Sequence, residues 1–140
     1  AGEDTQPQNN TSLVLLLEVE GRKYLLTADA GQQALWNAIQ AAAELGVFLN
    51  DLAFLQVPHH GSRRNLSPQL LDWISARIAY ISTASEHTPK HPSQAVINEF
   101  LRRRTRVLCN QGRTLRYHRQ APDRGWKGAA SEEFQSRFLA

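Results

Sequence analysis

Short apolar runs alternate with helix-compatible stretches along this chain, and that alternation constrains its fold more than any other feature. Residues 12–19 form a nearly continuous leucine and valine series, Gly21 follows as a tight turn, and residues 23–27 resume the apolar pattern. The two runs predict a hairpin, and the continuity of the first predicts a strand covered on both faces. Residues 31–45 are alanine-rich with Leu35, Ile39, Ala42 and Ala43 on one side, so a helix ending at Gly46 is expected. Residues 52–57, closed by Pro58, read as a third strand. Ser67-Pro68 is a helix start, a capping serine before a proline, and the helix it opens turns Leu70, Leu71 and Ile74 inward. Residues 78–82 predict a fourth strand, and Ser93 can cap a helix running to about Arg102. Residues 106–109 and 114–117 predict two final strands joined across Asn110-Gln111-Gly112.

This order predicts an α/β fold with the connections on one sheet face. In such sheets, polar residues just past the strand ends gather in one crevice. Three groups occupy those positions: Asp29 after the second strand, His59-His60 after the third, and the stretch from His87 to His91 after the fourth. At 140 residues the chain suits one core. Residues 1–118 are expected to form the folded body and 119–140 a polar, surface-hugging tail that Trp126, Phe134 and Phe138 could anchor.

Composition closes several routes. No apolar run nears the roughly 20 residues that cross a bilayer, so no membrane segment is expected in this chain. Residues 1–11 are polar and lack a signal peptide's apolar centre. That leans towards the cytoplasm without assigning a compartment. A lone cysteine, Cys109, excludes an internal disulfide framework and a cysteine-rich zinc site; within Val107-Leu108-Cys109 it reads as a small buried hydrophobe. The formal net charge of +3 tolerates a polyanionic substrate without demanding one. Arg63-Arg64 and residues 102–104 are the basic clusters, with a solvated surface as the default and phosphate contact as the alternative.

Asp29 leaves an apolar strand, where its two oxygens can bridge cations; it could equally cap the helix that follows. His59-His60-Gly61-Ser62 is more specific, because imidazole is a common transition-metal ligand and two adjacent histidines seldom both serve packing. Gly61 lets the backbone turn sharply beside them, and Ser62 offers a hydroxyl. The plain alternative is a polar loop. His91, held by Pro92, could donate to developing negative charge, whereas His87 and His118 read as ordinary exposed residues. Tyr80 and the three tryptophans read as core or tail anchors rather than stacking platforms.

Taken in order, Asn-Asn-Thr-Ser-Leu-Val-Leu-Leu-Leu (9–17), Leu-Leu-Thr-Ala-Asp-Ala (25–30), Leu-Gln-Val-Pro-His-His-Gly-Ser (55–62) and His-Pro-Ser (91–93) resemble metallo-β-lactamase-fold hydrolases. The likeness is to the hydrolase domain of ComEC-type competence proteins and their stand-alone relatives. It runs from about Asn9 to His118, and Ala-Pro-Asp-Arg-Gly-Trp (121–126) resembles a C-terminal extension of the stand-alone forms. The resemblance implies the C-terminal half of an αββα sandwich, a mixed sheet with helices on one face. It implies a site for two divalent metals, zinc or in some members manganese. Asp29 matches the bridging aspartate, His59 or His60 the late histidine ligand (His59, directly after the strand, being preferred), and His91 a catalytic or substrate contact. Asn9, Asn10 and Ser12 fall where many members place another metal histidine. The motif His-x-His-x-Asp-His is absent from this chain, so the resemblance also implies a partner: the N-terminal half of the same domain, on the same or a separate chain. Phosphodiester hydrolysis, with nucleic acid as a candidate partner, is the expected activity. A non-catalytic nucleic-acid-binding or structural half-domain and a small ester or lactone hydrolase are the alternatives.

Overall fold

The computed structural model describes residues 6–84 and 91–138. A short helix α1 (Pro7–Asn10) leads into strands β1 (Leu15–Val19) and β2 (Arg22–Leu26), then helix α2 (Gln32–Glu44) and strand β3 (Phe54–Gln56). A 3-10 turn (Pro58–Gly61), helix α3 (Pro68–Leu71), strand β4 (Ile78–Ile81), helix α4 (Gln94–Arg102) and strand β5 (Arg106–Cys109) follow. The architecture is α/β around one mixed five-stranded sheet in the order β1-β2-β3-β4-β5. β1 and β2 pair antiparallel, and every later pairing is parallel.

Local chemistry accounts for most of these elements. Glu20 and Gly21 both take positive φ, the geometry that lets a two-residue turn follow the twist of a hairpin. Ser67 caps α3 as expected, its hydroxyl accepting from the Leu70 N–H at 3.3 Å. Ser93 occupies the cap position of α4, but its side chain makes no capping bond. Gly31, not Asp29, stands at the start of α2, and no side chain caps it. The capping alternative for Asp29 is thereby removed.

Strand alternation divides the sheet into two unlike faces. One row runs Leu16, Leu25, Leu55, Ala79, Val107 across all five strands. All but the half-buried Leu16 are fully buried, against Leu35 of α2, Leu70 of α3 and Phe100 of α4. The opposite face carries Leu15, Leu17 and Val19 of β1 beside Leu26, Tyr24 and Arg22 of β2. Phe54 and Tyr80 stack on it at 5.9 Å. Here the expectation of a first strand covered on both faces fails: Leu13, Leu15, Leu17 and Val19 are 68%, 43%, 48% and 56% exposed. The apolarity is present, but within the described residues no helix lies over that side of the hairpin.

The final strand expected at 114–117 is also absent. That segment is irregular, and part of the outer edge of β5 is taken from further along the chain. Glu132 N–H donates to the Val107 carbonyl at 2.7 Å, and the Val107 N–H donates to the Ser131 hydroxyl. The tail does hug the body, held by side-chain amides and by Phe134, whose ring lies 5.5 Å from the Arg102 guanidinium of α4. Asn98 of α4 bonds both the carbonyl and the N–H of Gln135, and Gln94 donates to the Glu133 carbonyl. Trp126 and Phe134 stay about half exposed, and the side chain of Phe138 lies outside the described residues.

Candidate functional site

Three strand exits meet at one edge of the sheet. Past β2 the chain turns through Thr27, whose hydroxyl donates to the Gln56 carbonyl at 2.6 Å and ties that turn to β3. Past β3 the His59 N–H donates to the Ala28 carbonyl at 3.1 Å, joining the histidine turn to the residue before Asp29. Past β4 the chain returns so that the Ser93 N–H donates to the Gly61 carbonyl at 3.0 Å. The expected convergence of the Asp29 turn, the histidine pair and His91 is therefore seen in the backbone. His87 lies outside the described residues.

The histidine turn is strained. His59 (φ 45°, ψ 51°) and His60 (φ 56°, ψ 26°) are both left-handed, and Gly61 follows at φ 76°. A left-handed non-glycine residue costs on the order of 1–3 kcal/mol, and such strain concentrates where a site requires it. Three successive left-handed residues make a compact knuckle that sets the two imidazoles at a 72° angle, centroids 6.0 Å apart. The ring of His91 lies 6.0 Å from that of His59.

Each imidazole has its own surroundings. His60 Nδ1 is 2.6 Å from the Ser82 carbonyl. A carbonyl only accepts, so Nδ1 carries the proton, and the tautomer that leaves Nε2 as the ligating nitrogen is the one this bond selects, on an exposed side chain. His59 Nδ1 lies 3.3 Å from the carboxamide of Asn9, a residue only 5% exposed. Asn9 also accepts the Gly31 N–H through its carbonyl at 2.9 Å, so one asparagine braces the histidine turn and the chain just beyond Asp29. His91 Nδ1 is buried with no hydrogen-bond partner among the described residues. Burial, and then the nearby charges of His59 and His60, hold the His91 pKa below its ordinary value.

That depression fixes a sign. In the unfolded chain His91 takes up a proton near its usual value of about 6.5. The folded protein resists that proton, so the unfolded state binds more protons and stability falls as pH drops through that value towards the lower folded one. Denaturant melts at pH 7 and at pH 5.5 should show this loss, and His91→Gln should make it smaller. An unchanged pH dependence in the variant would contradict the assignment.

Asn65 was not anticipated from sequence. It is fully buried, and its amide donates to the Ala30 carbonyl at 3.1 Å and the Asp29 carbonyl at 3.4 Å, while Oδ1 has no partner among the described residues. It clamps the Asp29 turn to the loop beyond the histidines. Only the polar stretch Ser62-Arg63-Arg64-Asn65 hinted at a turn there. Asp29 itself is exposed, as are Arg63 and Arg64. Among the described residues, no group of three or more His, Cys, Asp or Glu is gathered to hold a metal ion. Of the basic run 102–104, Arg102 and Arg103 both pair with Glu99, and Arg103 also reaches Asp72 at 2.9 Å. Those two side chains have structural employment. Cys109 is buried, as expected, and burial pushes its thiol pKa up.

No family model matches the chain, and no solved structure does. Among curated proteins, ComE operon protein 3 of Bacillus subtilis (strain 168) is 33% identical over 119 residues, covering 81% of this chain and 14% of that protein. The chain is thus similar, over most of its own length, to a small part of a much longer protein.

Proposed function

We propose that this chain contributes the C-terminal half of a metallo-β-lactamase-fold hydrolase domain acting on phosphodiester bonds, with Asp29, His59, His60 and His91 as its share of the site. The observation that carries this reading is the left-handed histidine knuckle, hydrogen-bonded to the Asp29 turn on one side and to the His91 segment on the other. Two strained histidines at a strand end are hard to explain as packing, because His60 is exposed.

The donor set suits zinc or manganese in kind, imidazole nitrogen with carboxylate oxygen. His60 has a feature that a ligand needs, since its Nδ1 is fixed by a carbonyl on an exposed side chain. The amide of Asn9 steadies the ring of His59. The exposed carboxylate of Asp29 would bridge, and the His91 imidazole would sit beside charge that develops on the phosphoryl group. A bound pair of divalent ions would supply Lewis acidity, activating water near neutral pH and polarising the scissile bond. A tetrahedral shell wants four donors, so the remaining ligands would come from the N-terminal half. The apolar face of β1 and β2 is where that half would pack, burying the leucine row that now meets solvent.

The test is nuclease activity of the full-length protein, or of this chain combined with its N-terminal half, with manganese or zinc. Cleavage of DNA that is lost on chelation and in Asp29→Ala is expected; cleavage unaffected by Asp29→Ala would refute the assignment. One observation favours a non-catalytic half-domain, the lack of a three-donor cluster among the described residues. It predicts binding without turnover, whereas a small ester or lactone hydrolase would turn over those substrates and leave DNA intact. For the packing face, Leu17→Lys should change the stability of the isolated chain by no more than about 0.5 kcal/mol, because that side chain is already half in water. The same change should abolish co-purification with the N-terminal half. Undiminished co-purification would place the partner elsewhere.

A further inference from the structure

The segment 113–127 carries Arg113, Arg116, Arg119, Arg124 and Lys127 against one carboxylate, Asp123, and all six are exposed. Its fold is held, not loose. The Ala129 N–H donates to the Arg116 carbonyl at 2.9 Å and closes the loop at its base, while Arg106 donates to the Ala129 carbonyl and Arg22 to the Gln120 side chain. Asp123 accepts the Gly125 N–H, so the lone carboxylate is spent on a local turn. Near that base stands Trp126, 49% exposed, with the Arg116 and Arg124 guanidiniums 5.3 Å and 5.7 Å from its ring centre. Such contacts hold the arginine heads in place before any ligand arrives. An exposed indole within 6 Å of two positioned guanidiniums is not a core residue.

We infer that this loop is a contact surface for a single-stranded nucleic acid. Strand-binding surfaces combine cations that track phosphates with flat π-systems that accept bases without regard to sequence, and both are present within one loop. No helix or strand is formed in 113–127 that could enter a duplex groove, and no amphipathic helix is available to lie on a lipid surface. The loop leaves β5 at the sheet edge that carries the histidine turn, the Gly112 N–H donating to the Thr83 carbonyl one residue beyond the Ser82 that holds His60, so binding has to be read with hydrolysis switched off.

The test uses the 140-residue chain in EDTA with a fluorescein-labelled oligothymidylate of about 20 nucleotides, read by anisotropy at about 50 mM salt. The pair Arg116→Ala with Arg124→Ala should weaken binding about tenfold or more and reduce the salt slope by about 0.7 for each arginine removed. Trp126→Ala should weaken binding with an unchanged far-UV spectrum. Arg116→Lys with Arg124→Lys, which keeps the charge but loses the planar stack, should fall between. Binding that survives these changes would overturn the inference, as would loss confined to Arg63→Ala with Arg64→Ala. Equal competition by phosphatidylglycerol vesicles at matched negative charge would also overturn it, since the surface would then be a general anion site.

Discussion

Replacing Gly61 with alanine is expected to lower the free energy of unfolding by about 3 kcal/mol. Two costs combine. Alanine at φ 76° sits in the left-handed region, worth about 1–2 kcal/mol. Its methyl group would also lie 3.0 Å from Pro92 Cβ and 3.3 Å from Ile81 Cγ2. Neither neighbour yields easily, because a proline ring is rigid and Ile81 is fully buried on β4; overpacking of this kind costs about 1–3 kcal/mol. Gly125→Ala is the matched comparison, with φ 69° and nothing within 4 Å of the added carbon, so only the conformational cost applies. Urea denaturation of both variants separates the two contributions. Equal losses would mean that the close approach between the histidine turn and Pro92 is not structurally important. The same substitution should disturb the Ser93 to Gly61 hydrogen bond, and with it the spacing of His91 from His59.

The second large effect concerns metal affinity in the assembled domain. His60→Ala should weaken zinc binding by about 100-fold or more, since removing even an outer partner of a metal-bound histidine costs about 10–100-fold. Asn9→Leu, which leaves both imidazoles but unties His59, should fall within that 10–100-fold range. Calorimetric titration of the two variants, with His59→Ala beside them, ranks the pair. If His59→Ala is costly and His60→Ala is not, the ligand is the residue nearer the strand. If neither matters, the hydrolase reading fails, whatever the fold.

The parts of the fold legible in the sequence are those specified by neighbours along the chain. The Glu20-Gly21 turn, the alanine-rich helix and the Ser67-Pro68 start each depend on a few adjacent residues, and each formed where its signal lay. Two expectations failed because the deciding partner is remote. Residues 114–117 alternate like a strand, yet Val107 bonds Ser131 and Glu132 instead. The leucines of β1 look buried from composition alone, whereas exposure depends on what else covers the sheet. In the site, the histidines were readable because strand exits of a parallel sheet share one edge. The buried amide of Asn65 was not, since its partner lies 35 residues away, whereas Asn9, with a partner 50 residues away, was put near the site only by the family resemblance. Trp126 likewise looked like an anchor until its two arginine neighbours were in view.

The strap of residues 129–132 along β5 also limits how these molecules can polymerise. β1 lies at one border of the sheet and β5 at the other, and among the described residues only the β5 border is partly covered, by the chain's own tail. A molecule with one raw border can satisfy it by meeting a single like copy, and growth then stops. Cutting the chain before Ala129 would leave two raw borders on every molecule, the condition for open-ended fibre growth.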